Sequence, residues 1–303
     1  MAGQGHEFGG QHTEIKLELV EKYLRAYMAA LRGKFSQLWY IDAFAGTGSR
    51  TVRVDARGGD LFDAPVPART ETRRGSARIA LDVSPGFDRL IFMDANAEHC
   101  AALSELKSAY PARDISILQG DANRLIQAEI KWDGWRSTRA VMFLDPYGME
   151  VEWATLKAIA ETRAIDVWYL FSLSGLYRQA ARNINSVDES KRRALTRMLG
   201  TDEWERELYS PIGADQSLLD GLDPIEVRQR NADVAGLEDY VKQRLQTIFP
   251  HVFDPFPLPP NSRPQRFSLF GAISNPSTAA TKLAKSFGDH ILASGRLSHV
   301  RSR

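Results

Sequence analysis

The chain has one cysteine, Cys100, in 303 residues. A lone thiol forms no disulfide within its own chain, builds no thiolate zinc site and holds no iron–sulfur cluster. Surplus charge is equally scarce. Lys and Arg number 39 against 38 Asp and Glu, a formal net charge of +1, so no global polycation advertises a nucleic acid. No apolar run approaches the roughly 20 residues a bilayer requires. The start, MAGQGHEFGG, lacks the charged-then-apolar pattern of a secretory signal. No internal repeat is visible. These absences make a reducing cytoplasm the expected location. The remaining composition, 43% hydrophobic and 25% charged, is that of a globular protein. Its length suits one large α/β domain or a core domain carrying an insert.

A helical stripe of apolar residues runs from Thr13 to about Leu31. Gln37–Phe44 then reads as a buried strand that ends in AGTG. Residues 49–74 contain paired glycines and two prolines and read as a long loop, which in a compact domain is functional or disordered. Beyond it the pattern alternates. Strands are expected at Arg89–Asp94, Ile115–Leu118, Ala140–Leu144 and Ile165–Phe171. Helices are expected at Ser76–Asp82, Ala97–Ala109, Asn123–Ile130 and Trp153–Glu161. Apolar, unalternating strands separated by helices predict a mostly parallel sheet with helices on both faces. The rhythm breaks near Gly175, where charged segments such as ESKRR and DEWERE predict a helical insert over 176–232. An amphipathic helix over Val234–Phe249, an extended HVFDPFPLPP, a strand over Arg266–Ser274 and a helix capped by Ser277 complete the core over 233–303.

Each of four successive strands ends at or just before an acid: Asp42, Asp94, Asp121 and Asp145. In open α/β sheets ligands bind outside the carboxyl ends of the strands. Each acid could instead cap the helix that follows. The glycine turn after the first strand fits neither phosphate motif. AGTGSR lacks the lysine and spacing of G-x-x-x-x-G-K, and Gly46 and Gly48 are not followed by a third glycine at the dinucleotide spacing. Several carboxylates would also repel a pyrophosphate. They suit a ligand with a cationic centre, an ammonium and ribose hydroxyls, which is S-adenosylmethionine. Gly46 and Gly48 admit close backbone approach, Asp94 is placed for the ribose hydroxyls, and Asp121 in QGDAN for the adenine amine. The expected contacts are Asp42, Phe44, Gly46, Gly48, Asp94, Ala95, Asp121, Ala122 and Asp145, with no metal. Residues 1–175 form the cofactor-binding core on this reading.

QHTEIKLELVEKYL, LWYIDAFAGTG, GSARIAL, FLDPYGMEVEW and VWYLFSLSG together resemble the three-Cys-motif partner (TcmP) proteins, across nearly the whole chain from His12 to the helix after Ser274. That family is similar to class I S-adenosylmethionine-dependent methyltransferases, with their Rossmann-like fold. It is named for a neighbouring radical-enzyme-like protein with a three-cysteine motif. The resemblance therefore implies such a partner, with this chain not the cluster carrier. His12, Thr13 and Lys16 fall on the amino-terminal motif and resemble the segment that flanks the cofactor in rRNA adenine methyltransferases. Alternatively, Thr13 caps the first helix and Lys16 lies on its solvent face.

MFLDPYG, at the end of the fourth core strand, is where the methyl group of the cofactor is expected. Amino-methyltransferases of adenine or cytosine carry an Asp/Asn/Ser–Pro–Pro–aromatic motif there. Its acid and first proline carbonyl accept from the amine, and its ring stacks on the extruded base. Asp145 and Pro146 match, the second proline is missing, and Tyr147 comes one position early. Tyr147 either stacks on a base or packs under the loop. Ser172, Ser174, Tyr177 and Arg178 line an acceptor pocket or form a helix-capping turn. Seven arginines between Arg50 and Arg78, among them Arg53, Arg73 and Arg74, make a local basic surface suited to phosphates, or a solvated loop. The expected activity is methyl transfer to a nucleobase exocyclic amine in DNA or RNA. The alternative is a non-catalytic or partner-dependent component that binds the cofactor or nucleic acid. An enzyme acting on a small molecule or a protein is a third reading.

Overall fold

Strands that are apolar on both faces must be covered on both, and the arrangement of helices follows from that demand. The computed structural model describes residues 11–54, 69–211, 228–260 and 264–300. The chain divides into two units, Met1–Leu125 with Gly134–Phe143 and Ser286–Arg303, and Ile126–Asp133 with Leu144–Lys285.

In the first unit α1 (Gln11–Leu31) buries Ile15, Leu19, Tyr23, Leu24, Tyr27 and Met28 along one stripe. Its other side carries the i,i+4 pairs Glu18–Lys22 and Glu21–Arg25, each contributing a few tenths of a kcal/mol, roughly 0.2–0.5. Then follow β1 (Gln37–Asp42), β2 (Ser49–Val54), β3 (Arg69–Arg74), α2 (Ser76–Asp82), β4 (Arg89–Asp94), α3 (Ala97–Ser108), β5 (Ile115–Gln119), α4 (Ala122–Glu129) and β6 (Thr138–Leu144). The strands β6, β1, β4 and β5 lie side by side in that order, all parallel. The first strand is central, the next two extend to one side and the fourth lies on the other. The strand order therefore reverses between β1 and β6, and the carboxyl ends of those strands are where a doubly wound sheet receives its ligand.

The expected loop over 49–74 is corrected in part. Ser49–Val54 and Arg69–Arg74 pair antiparallel, from Ser49 opposite Arg74 to Val54 opposite Arg69. SRTVRV and RTETRR place β-branched residues between the charged ones, a pattern that suits a hairpin arm. The glycines and prolines that suggested irregularity fall between the strands, in 55–68, outside the described residues.

The second unit contains α5 (Trp153–Glu161), β7 (Ile165–Phe171), α6 (Leu173–Gln179), α7 (Glu189–Leu199), α8 (Trp204–Glu207), β8 (Tyr209–Pro211), β9 (Arg228–Arg230), α9 (Val234–Gln246), β10 (His251–Val252), β11 (Phe256–Leu258), β12 (Phe267–Ile273) and α10 (Thr278–Val300). β12 runs antiparallel to β7, and β10 and β11 pair antiparallel with β12. Pro257 sits in β11, on the periphery, where a missing N–H is tolerated. Ser277 caps α10 as expected, its Oγ accepting from the Ala280 N–H at 3.2 Å. The stretch 176–232 is helical in α7 and α8 but also holds the antiparallel pair β8–β9. Residues 212–227 of that stretch lie outside the described residues. The last residues of α10 belong to the first unit, where Phe287 packs its ring 5.1 Å from that of Tyr23.

The parallel β6-β1-β4-β5 set with its central first strand, flanking helices and an antiparallel strand late in the chain make the fold a class I methyltransferase-like, mostly parallel α/β sandwich. Among the described residues no helix is long and apolar enough to cross a membrane.

Candidate functional site

The turn after β1 is built on two left-handed glycines, Gly46 at φ 57° and Gly48 at φ 73°. Both conformations disfavour any residue with a Cβ. The two differ in surroundings. A Cβ on Gly48 would lie 2.6 Å from Leu106 Cδ2, so Gly48 lets the loop close onto α3. A Cβ on Gly46 would meet nothing within 4 Å, so its backbone faces open space.

Asp94, 8% exposed at the end of β4, ties that turn in place. Its Oδ2 accepts from the Gly46 N–H at 2.9 Å and its Oδ1 from the Asn96 N–H at 2.8 Å. A carboxylate has about four lone-pair positions, so acceptor capacity remains. His99 Nδ1 lies 3.1 Å from Oδ1 but is not aligned for a hydrogen bond. The sequence reading passed over His99. Its only signal was its place in the first turn of the helix after Asp94. Ala95, the next residue, is exposed, and Phe44 is half-buried.

Asp42 is different. It is fully buried, with Oδ1 accepting from the Phe44 N–H and Oδ2 from Tyr40 Oη, both at 3.3 Å. Asp42 therefore lies beneath the loop, at the end of β1. Asp121 is exposed and caps α4, accepting from the Arg124 N–H at 3.0 Å through Oδ1. Ala122 is buried behind it. Three of the four strand-end acids thus gather in the first unit, at three depths.

Lys16 is 5% exposed, which removes the solvent-face alternative. Its ammonium lies 5.9 Å from the centroid of the Phe143 ring, in β6 beside the strand-order reversal. The neighbouring strand is held close there by the Ala43 N–H to Phe143 carbonyl bond of 3.2 Å. His12 and Thr13 are half-buried in the first turn of α1, so Thr13 lies within the helix.

The hairpin arginines face carboxylates. Glu14 accepts from Arg50 Nη2 and Arg73 Nη1, each at 2.5 Å, while Arg74 bridges Glu21 at 2.9 Å and Asp82 at 3.3 Å. Burial pushes the Glu14 carboxyl up, but the hydrogen bonds and charges of Arg73 and Arg50 together outweigh it and hold the carboxyl below its ordinary range. Arg73 and Arg74 are therefore largely neutralised in place. Arg50 keeps something in reserve, because its Nε and Nη1 are buried without a hydrogen-bond partner. Arg53 stands in β2 opposite Thr70.

In the second unit the chain leaves β6 through Asp145, half-buried, and Pro146, buried. Tyr147 is 79% exposed, so its ring does not pack under the loop. The segment is braced from behind, since a Cβ on Gly175 would lie 3.2 Å from Met149 Cγ. Ser172 caps α6, its Oγ accepting from the Gly175 N–H at 3.1 Å, with Ser174 Oγ 3.5 Å away. Tyr177 and Arg178 are exposed near the end of that helix. Among the described residues no group of three or more His, Cys, Asp or Glu could hold a metal ion.

No protein-family model and no curated protein sequence matches the chain. Solved structures do. The Legionella pneumophila protein LPL1258, of the family model DUF519, is 11% identical with a TM-score of 0.50, over 95% of this chain and 94% of that one. A Clostridium acetobutylicum S-adenosylmethionine-dependent methyltransferase is 10% identical at a TM-score of 0.36, over 84% of this chain and 91% of that one. The N-terminal domain of EvdMO1 with SAH bound is 11% identical at 0.34, over 83% and 79%. The first likeness shows the shared fold. The other two are too loose to carry chemistry to this chain.

Proposed function

We propose that this chain is an S-adenosylmethionine-dependent methyltransferase acting on a nucleobase exocyclic amine of DNA or RNA. The observation that carries the reading is the pairing of Asp94 with Gly46. A carboxylate with spare acceptor capacity stands beside a left-handed glycine whose backbone faces open space, at the carboxyl ends of adjacent parallel strands. Ribose hydroxyls need such an acceptor, and a flat adenosine needs such an approach. The orphaned Nε and Nη1 of Arg50, two residues past Gly48, suit the carboxylate of an amino-acid moiety in the two-pronged manner of a guanidinium. Asp121 keeps an oxygen beyond its capping bond for the adenine amine.

The cofactor, when bound, supplies a methyl group already activated by a sulfonium. The residues of the chain therefore have alignment and desolvation to provide rather than a strong base. In this reading the Asp145 carboxylate and the Pro146 carbonyl accept from the amine and point its lone pair at the methyl carbon. The exposed Tyr147 ring stacks on the base. The resemblance to three-Cys-motif partner proteins belongs to the same proposal, with a cluster-bearing protein as an associate. Cys100 fits the non-cluster role, being buried, with its thiol pushed up by burial and then by the nearby Asp94 charge.

The test is incubation with methyl-labelled cofactor and separate DNA, tRNA and rRNA pools, with and without the three-cysteine protein. Label in a base of one pool is the expected result. Cofactor binding without transfer to any pool, with the associate present, replaces the enzyme with a binding component.

A further inference from the structure

The insert carries an arginine pattern that neither the cofactor crevice nor the DPYG segment uses. Arg192, Arg193 and Arg206 are each paired with a carboxylate, those of Glu205, Glu189 and Glu203. Arg178, Arg182 and Arg230 are not in any ion pair among the described residues. The insert's unpaired arginines also include Arg197 and Arg228, but only Arg230 lies against an exposed aromatic ring, with Arg178 and Arg182 close to that ring in sequence. The Arg230 guanidinium lies 4.0 Å from the centroid of the Tyr177 ring, and Tyr177 remains 45% exposed. Arg182 joins the cluster through its backbone, its carbonyl accepting from the Arg230 N–H at 2.8 Å. Arg178 follows Tyr177 in α6, and both Arg178 and Arg182 are exposed.

The patch is fixed rather than adaptable. Arg230 Nη1 is held by the Ala232 carbonyl at 2.5 Å, and Arg230 Nε is buried with no partner. Asn183 bridges Gln229, and Tyr209 Oη donates to the Ala181 carbonyl at 2.6 Å, securing the turn between Tyr177 and Arg182. Burial pushes the Tyr209 phenol up to about 12, so it remains a donor throughout the working pH range. At its other end α6 is braced against Met149, two residues past Tyr147, through the close approach at Gly175.

An exposed tyrosine backed by a guanidinium and flanked by unpaired arginines meets two needs of an unpaired nucleotide at once. The ring and guanidinium plane stack on a base, and the flanking cations meet the phosphates. A folded protein partner would meet such cations with carboxylates instead, and would leave single-strand binding unchanged in Tyr177→Ala. A lipid surface would need apolar anchors, which the patch lacks. We infer that Tyr177, Arg230, Arg178 and Arg182 form a stacking platform for a single-stranded nucleotide flanking the one presented for modification. This rests on the nucleic-acid reading above and goes beyond it. The substrate is unpaired at the modified position and also one or more nucleotides away, as in a loop, bulge or single strand.

The experiment is an anisotropy titration of the full chain, with S-adenosylhomocysteine present, against a labelled single-stranded 12-mer and its duplex. Tyr177→Ala should weaken single-strand binding about ten-fold, the order expected for one lost stacked base. Tyr177→Phe keeps the ring and should bind as wild type, and duplex binding should change little. Arg178→Ala with Arg182→Ala should lower the salt slope by about 1.4, for two single-strand phosphate contacts. Wild-type binding together with an unchanged Tyr177→Ala affinity would overturn the platform while leaving the methyltransferase reading intact. Equal loss in the Ala and Phe variants would also overturn it, by assigning the effect to the hydroxyl. A wild type that binds neither strand form sinks the nucleic-acid reading itself, and the platform with it.

Discussion

Gly46 donates its N–H to Asp94 Oδ2 across 2.9 Å, tying the turn after β1 to the end of β4, its parallel neighbour. One carboxylate thereby sets the shape of the loop and, in the proposed function, accepts from the cofactor. Removing it should affect both.

Asp94→Ala is expected to weaken S-adenosylmethionine binding by roughly 1.5–3 kcal/mol, through lost hydrogen bonds to a charged acceptor. Calorimetry beside a thermal melt separates that loss from unfolding. Unchanged affinity in a folded variant would remove Asp94 from the site.

The two glycines should respond differently. Gly46→Ala forces a Cβ into the left-handed region at about 1–2 kcal/mol but meets no atom, so the fold should survive with weaker cofactor binding. Gly48→Ala adds a contact of 2.6 Å with Leu106 and should cost about 1–3 kcal/mol more in urea unfolding. Equal unfolding midpoints for the two variants would contradict this assignment.

Arg50 has two buried, unpartnered N–H groups. If they receive the amino-acid carboxylate, Arg50→Ala should weaken S-adenosylhomocysteine by about 1.5–3 kcal/mol and leave methylthioadenosine, which lacks that carboxylate, nearly untouched. A parallel loss for both ligands would point instead to a loosened loop.

Glu14 gives the hairpin tether a pH dependence. Its folded-state carboxyl lies below the ordinary 4.5, because the arginine hydrogen bonds and charges outweigh burial. The tether is then fully present above that ordinary value and is lost as pH falls through the lower, folded value. Wild type should melt above Glu14→Gln at neutral pH, and the gap should narrow as pH falls below 4.5. The side chain is 40% exposed, so the gap at neutral pH should be small. A gap that persists at low pH would assign the effect to packing.

Asp145 and Tyr147 separate chemistry from folding. Asp145→Ala removes the acceptor that orients the amine, which should lower single-turnover methyl transfer by about 10²–10³-fold. Cofactor affinity should change far less. Tyr147→Ala, at a position 79% exposed, should leave stability within about 0.5 kcal/mol while slowing transfer. Full single-turnover rates in both variants would release the DPYG segment from catalysis.

Local sequence determined the elements of the core. The apolar runs of β1, β4, β6 and β7 and the stripe of α1 are set by near neighbours, and such periodicity states which segments need burial on one face or two. Ser277 announced a helix start for the same reason, since a cap acts within three residues. The strand-end acids were legible as a set, but their separate places were not. Only the tertiary structure put Asp42 under the loop and Asp94 against it, because those places depend on which strand lies beside which. For Lys16 a cofactor-flanking place and a solvent-facing one both stood open in sequence, and laying α1 beside Phe143 closed the second. The arginine hairpin shows the limit most plainly. Arg73 meets Glu14 across 59 positions of sequence, and Arg74 meets Glu21 across 53. A charge run carries no record of such distant partners, so whether those guanidiniums face phosphate or carboxylate was decided by chain topology alone.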